Sequence, residues 1–129
     1  MRGSRFQRSR AADNGQMVLP GIDALEAASA IVRQVVPPTP QICWPLVSAR
    51  AGAEVWIKHE NHTPVGAFKL RGGLVYMEQL RRREPAVTAV IAATRGNHGQ
   101  SIAYAAARAG LRAVIEARVH VGGLMVIRP

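Results

Sequence analysis

The 129-residue chain has one cysteine, Cys43, which excludes an internal disulfide framework and leaves a reducing compartment open. Aromatic residues are scarce, with two each of Trp, Tyr and Phe. No stretch approaches the roughly 18 uninterrupted apolar residues of a membrane span. The arginine-rich start "MRGSRFQRSRAADNGQ" has no apolar run behind it and is no secretory signal. Metal-ligand spacing is also missing, because His59 and His62 lie three apart without a second pair. Acidic residues are few, eight against 17 lysines and arginines, for a formal net charge of +9. The basic residues cluster only at 2–10 and in "RRR" (81–83), with no interleaved aromatics. Such charge supports non-specific phosphate attraction and no specific nucleic-acid role.

Lysine is the scarcest cation. Only Lys58 and Lys69 occur, the other fifteen basic residues being arginine. The two types are not interchangeable: guanidinium stays protonated, whereas an amine that loses its proton can attack a carbonyl. An exposed lysine is almost wholly protonated at neutral pH, so such chemistry requires the charge to be removed or the amine to be stored as an imine.

What is present is a globular composition, 48% apolar, of about one domain's length. "PGIDALEAASAIVRQVVPP" predicts a helix with Ile22, Leu25, Ala28, Val32 and Val35 near one stripe, stopped by Pro37-Pro38. "TPQICWPLV" reads as an extended stretch broken by prolines, with Cys43 a buried, inert thiol. "AEVWIKHE" alternates as a strand and "NHTPVG" as a turn. "AFKLRGGLVYMEQLRRRE" has helical spacing, with Phe68, Leu74, Met77 and Leu80 on one broad face. Gly72-Gly73 costs that helix about 1 kcal/mol per glycine relative to alanine, so something must approach its backbone closely.

"VTAVIAA" reads as a strand buried on both faces of a parallel sheet, and "SIAYAAARAG" as a helix ended by Gly110. With "LRAVIEA" as the next strand, the segment is a βαβ unit and the fold class is α/β. Ligands of open α/β sheets bind beyond the carboxyl ends of strands, where helix N-termini point. "TRGNHGQ" holds that position: Gly96 and Gly99 would admit an anion, and Asn97 reads equally as helix cap or as ligand. Neither G-x-G-x-x-G nor a P-loop is present. Lys69 falls in the first turn of its helix, facing the same sheet edge, where the helix terminus and burial would both disfavour an ammonium ion. On periodicity alone it reads first as a solvated lysine in a first turn.

"KHENHTPVGAFKLRGG" followed by "ATRGNHGQSIAYAA" resembles the paired signatures of fold-type II pyridoxal-phosphate enzymes, over roughly residues 38–115. Within them it is most similar to the serine/threonine dehydratase group, which includes serine racemase and hydroxyaspartate ammonia-lyases. The resemblance implies a tryptophan-synthase-beta-like fold, an open and mostly parallel sheet with flanking helices, here incomplete. It also implies that Lys69 carries pyridoxal 5'-phosphate as a Schiff base, that Phe68 packs on the cofactor ring, and that Asn97 bonds its 3-hydroxyl. The backbone of Thr94, Arg95, Gly96, Asn97 and His98 would hold the substrate carboxylate. The activity implied is an ammonia-lyase or dehydratase converting a serine- or threonine-type hydroxy amino acid into a 2-oxo acid and ammonia, in the cytoplasm and as a homodimer when full-length.

The sequence departs from that pattern at three places. Ala67 stands where many relatives have serine. Arg95 replaces a small residue that is the second base in racemases, which disfavours racemization; its charge either binds an acidic substrate or points to solvent. The glycine-rich loop that holds the cofactor phosphate in the family is not reached, and "HVGGLM" (120–125) is a superficial likeness. The domain expectation is a disordered basic tail at 1–16, a larger-domain portion with Lys69 at 17–85, the first strand-helix-strand of a smaller domain at 86–116, and a divergent tail at 117–129. A chain so composed reads as a weakly active or inactive fragment. Two other readings stay open: a non-catalytic remnant or binding module without cofactor, and a basic nucleic-acid binder.

Overall fold

A computed structural model describes residues 19–94, 96–119 and 123–127. The expected basic tail at 1–16, Arg95, and residues 120–122 of "HVGGLM" lie outside the described residues.

Helix α1, Ile22–Arg33, starts without a side-chain cap but with Asp23 in its first turn, where the helix dipole favours an acid. It ends at Arg33, and Val35 and Val36 donate to the Val32 carbonyl at 3.0 and 2.9 Å before Pro37 bars continuation. The expected apolar stripe is only half used. Val32 is buried, whereas Ile22 and Leu25 face outward.

Strand β1 (Gln41–Cys43) pairs antiparallel with β2 (Trp56–Lys58), with Ile42 opposite Ile57. Between them the expected extended stretch is corrected: Pro45–Ala51 forms helix α2. Proline suits the first helical position, where its fixed φ is already helical and its missing N–H would have had no partner. Gly52, at φ 65°, closes the helix in the left-handed conformation. Cys43 is half-buried rather than buried, with its Sγ 3.7 Å from Ser48 Oγ.

Helix α3 (Lys69–Arg83) buries Leu70, Leu74, Met77 and Leu80. Phe68, placed on that face by spacing, precedes the helix and is 62% exposed. The helix packs on α4 (Asn97–Arg108), which crosses between strand β3 (Ala89–Ala93) and the parallel strand β4 (Arg112–Val119). Register runs from Ala89↔Arg112 to Ala93↔Glu116. This is the βαβ unit expected from sequence. β3 is covered on one face only: Val90 and Ala92 pack toward the core, while Ile91 is 75% exposed.

Strand β4 runs on into the segment expected to diverge and pairs antiparallel with β5, Gly123–Ile127, giving the order β3-β4-β5. One contiguous core joins Val32 and Val36 to Leu70 and Met77 of α3, Ala105 of α4 and Ile115 of β4. Among the described residues, no helix is long and apolar enough to cross a membrane.

Candidate active site

Two strand-to-helix loops build the site. The first leaves β2 through a 3-10 turn at Glu60–His62. Thr63, buried, then accepts from the Ala67 N–H at 2.8 Å and donates to the Ala67 carbonyl at 2.9 Å. Inside this two-way latch the Gly66 N–H donates to the Thr63 carbonyl at 2.9 Å, with Gly66 at φ 65°, a conformation that favours glycine. The latch delivers Lys69 as the first residue of α3.

A second tether acts on the same turn. Arg71 donates from Nε to Glu60 Oε2 at 2.7 Å and from Nη2 to Glu60 Oε1 at 3.0 Å, a bidentate pair. Thr39 Oγ1 donates to Oε1 at 2.6 Å, and Lys58 Nζ lies 3.9 Å from it. The Arg71 hydrogen bonds hold the Glu60 carboxyl down to about 2, opposed by partial burial and helped by Thr39 and by the charges of Arg71 and Lys58. Glu60 in turn raises Arg71 above the ordinary guanidinium range. Lys58 Nζ also donates to the Thr39 carbonyl at 3.2 Å.

The second loop leaves β3. Thr94 N–H donates to the Glu116 carbonyl at 2.9 Å, extending the ladder before the chain turns at Gly96, φ 81°. Gly96 is the N-cap of α4 and no side chain caps the helix, so the capping alternative for Asn97 is corrected: it is the first helical residue. The Gly99 N–H folds back to the Gly96 carbonyl at 3.0 Å, while those of Asn97 and His98 precede the point where intrahelical bonding begins. Packing against β4 by itself requires glycine at 99, because a Cβ would meet Ile115 and Thr94 at 2.9 and 3.0 Å. Ser101, fully buried, donates to the Asn97 carbonyl at 2.8 Å.

An open cleft of about 1030 Å³ between α3, β3 and α4 is lined by Phe68, Lys69, Met77, Val90, Ile91 and His98, among others. Lys69 is exposed to solvent there, as its reading from periodicity had it, and among the described residues its side-chain amine has no hydrogen-bond or ion-pair partner. The cleft thus gathers Phe68, Lys69 and His98; Thr94, Gly96 and Asn97 are not part of its lining. Sequence reasoning missed Thr39, Glu60, Thr63, Arg71 and Ser101. The available signal for Glu60 was its rarity, one of eight acids in the chain, eleven residues before Arg71.

Residues 32–121 match the family described as pyridoxal-phosphate dependent enzyme. The chain belongs to the pyridoxal-phosphate-dependent enzymes. It is 41% identical over 96 residues to the L-threonine dehydratase biosynthetic IlvA of Pasteurella multocida, covering 74% of this chain and 18% of that protein. It is 35% identical over 99 residues to serine racemase of Schizosaccharomyces pombe, covering 77% and 30%. Among solved structures it is similar to a pyridoxal 5'-phosphate-dependent aspartate racemase, at TM-score 0.70 and 28% identity over 76% of this chain and 31% of that one. The chain therefore spans less than a third of each of these relatives. Its α/β architecture is that of the fold-type II pyridoxal-phosphate enzymes, and its relatives place it in their serine/threonine dehydratase group.

The residues present fit one end of this family's cofactor. A primary amine with no partner among the described residues opens on a wide cleft beside an exposed aromatic side chain, a donor set suited to an aldehyde on a flat ring.

Proposed function

We propose that this chain is the lysine-bearing portion of a pyridoxal-phosphate-dependent ammonia-lyase acting on a serine- or threonine-type hydroxy amino acid. The observation that carries this reading is Lys69: latched by Thr63 and Glu60 at the start of α3, it presents a free amine in the cleft that Phe68 and His98 share. Pyridoxal phosphate, when bound, supplies an aldehyde for covalent capture and an electron-withdrawing ring. Lys69 would hold it, Phe68 would pack on the ring, and Asn97 would bond the 3-hydroxyl.

The chain's own residues account for the remaining requirements. The Lys69 amine, once free again, is the base that takes the proton from the substrate α-carbon. The backbone of Thr94 to His98, at the start of α4, would receive the substrate carboxylate at the positive end of the helix. The β-hydroxyl leaves as water, and hydrolysis of the dehydrated product gives the 2-oxo acid and ammonia. Arginine at position 95 cannot serve as a second base at neutral pH, which favours elimination over racemization.

The exposed outer face of β3, with Ile91, supports a further part of the reading: residues 1–129 alone turn over little or no substrate. A homodimer and a cytoplasmic location complete the proposal; the single cysteine is compatible with a reducing compartment. The test is absorbance with added pyridoxal phosphate, then borohydride reduction and mass mapping of the labelled lysine. Label at Lys69 with a new absorbance band is expected. Label confined to Lys58, or no label, overturns the proposal.

A further inference from the structure

The chain's two lysines are both solvent-accessible amines near one helix start, yet their surroundings differ. Lys58 ends β2, and its Nζ donates to the Thr39 carbonyl at 3.2 Å and lies 3.9 Å from the Glu60 carboxylate. Lys69 has no such partner among the described residues. One acidic side chain connects both situations. Glu60 takes Thr39 Oγ1 at 2.6 Å from the chain entering β1, sits beside Lys58 at the end of β2, and grips Arg71 through both oxygens.

The grip matters because of where Arg71 lies. It is two residues beyond Lys69, so the two side chains diverge around the helix axis at about 100° per residue, and both residues line the cleft. A bidentate pair at Arg71 therefore resists rotation of the first turn about the helix axis. The Thr63–Ala67 latch restrains the same segment along the chain, so residues 60–71 form a loop closed at both scales. Helix starts fray when their first turn has no cap, and α3 has no side-chain cap. Here the carboxylate of an upstream turn ties the first turn from outside the helix, through the Arg71 side chain rather than through a backbone N–H.

We propose that Glu60 is a positioning residue that sorts the two lysines: it pins Arg71 to fix the first turn of α3, leaving Lys69 as the cleft's free amine, and withholds Lys58 as a partnered cation. This rests on the reading of Lys69 as the carbonyl-reactive lysine. Glu60 touches no reacting atom in this account and acts only through Arg71 and Lys58.

The test compares wild type, Glu60→Gln and Glu60→Asp as the 129-residue chain by two readouts. One is the ratio of Lys69 to Lys58 labelling by pyridoxal and borohydride; the other is amide hydrogen exchange over residues 61–71. Glu60→Gln is expected to lower the labelling ratio at least about 5-fold and to speed exchange at least about 10-fold. Glu60→Asp is expected to restore part of both. Unchanged ratio and exchange in a folded Glu60→Gln chain overturn the proposal. If circular dichroism shows Glu60→Gln unfolded, Thr39→Val replaces it: removing one bond to Oε1 should shift both readouts in the same direction by less, and no shift overturns the proposal. If exchange responds but wild-type Lys69 is not labelled above Lys58, the sorting role and the Lys69 reading both fall while the tether on α3 stands. Preferential Lys69 labelling that survives Glu60→Gln unchanged keeps the Lys69 reading and sinks the sorting role alone.

Discussion

Gly99 of α4 and Ile115 of β4 are packed so closely that a Cβ on Gly99 would stand 2.9 Å from Ile115 Cγ2, with Thr94 Cγ2 at 3.0 Å on another side. The contact seats the first turn of α4 on the sheet and so sets the height of the loop that carries Thr94 to His98. Alanine at 99 gains at most about 1 kcal/mol of helix propensity. It loses more, because overpacking a filled site costs about 1–3 kcal/mol. Gly99→Ala should therefore lower the denaturation midpoint. Thr94→Ser removes one of the two opposing methyls and should recover part of the loss, so the double variant should be more stable than the sum of the single changes allows. Chemical denaturation of the four chains checks both the loss and the coupling.

The adjacent glycines of α3 should respond in opposite directions. At Gly72 a Cβ meets nothing within 4 Å, whereas at Gly73 it would lie 3.2 Å from the Ser101 carbonyl oxygen and 3.4 Å from Ala105 Cβ. Gly72→Ala thus gains about 0.5–1 kcal/mol from reduced unfolded-state entropy. Gly73→Val should cost about 2 kcal/mol or more, since the obstruction is a helix backbone that cannot swing aside. Thermal melts should separate the two variants by several degrees on either side of wild type.

Phe68 is 62% exposed, so its removal should hardly affect folding. Phe68→Ala is expected to keep stability within about 0.5 kcal/mol of wild type. If its ring packs on the cofactor, the same change should weaken retention of pyridoxal phosphate by about 5- to 30-fold, the equivalent of about 1–2 kcal/mol of aromatic contact. A melt and a cofactor titration on the same preparation separate these effects. A large loss of stability with unchanged affinity would place Phe68 in the fold rather than in the site.

The contrast between Phe68 and Leu70 shows what sequence could and could not convey. Periodicity correctly put Leu74, Met77 and Leu80 on the buried face of α3, because burial there follows the helical period. It also put Phe68 there, and failed because the helix begins one residue later and Phe68 points from its entry turn. The βαβ unit was legible because an apolar run, a glycine turn and an alanine-rich segment each carry local signals. Helix α2 was not: a proline reads as a breaker unless the position it occupies is known, and at the first helical turn it is a favoured residue. Lys69 stood out by its motif, but the Glu60–Arg71 pair that orders its turn did not. Tertiary pairing across eleven residues leaves no period to detect. The exposure of Ile91 was likewise invisible, since a run such as "VTAVIAA" does not say how many of its faces the chain itself covers.

Glu60 gives the fold a pH dependence with a definite sign. Its carboxyl is held down to about 2 in the folded chain against an ordinary value of 4.5, chiefly by the Arg71 hydrogen bonds. A lowered folded value means that the unfolded chain binds the proton more tightly, so acid favours unfolding through this group. Its contribution is fully present above about pH 4.5 and disappears as pH falls toward 2. The carboxylate side chain is 22% exposed, so solvent screening reduces the full linkage value, and a contribution of about 1–2 kcal/mol is expected. Urea midpoints of wild type and Glu60→Gln should therefore differ most above pH 5 and converge as the pH approaches 2. The other acids are common to both chains and cancel in the comparison. A gap that stays constant from pH 6 to pH 3 would mean that the pair with Arg71 does not form in solution, and the ordering of the Lys69 turn would need another cause.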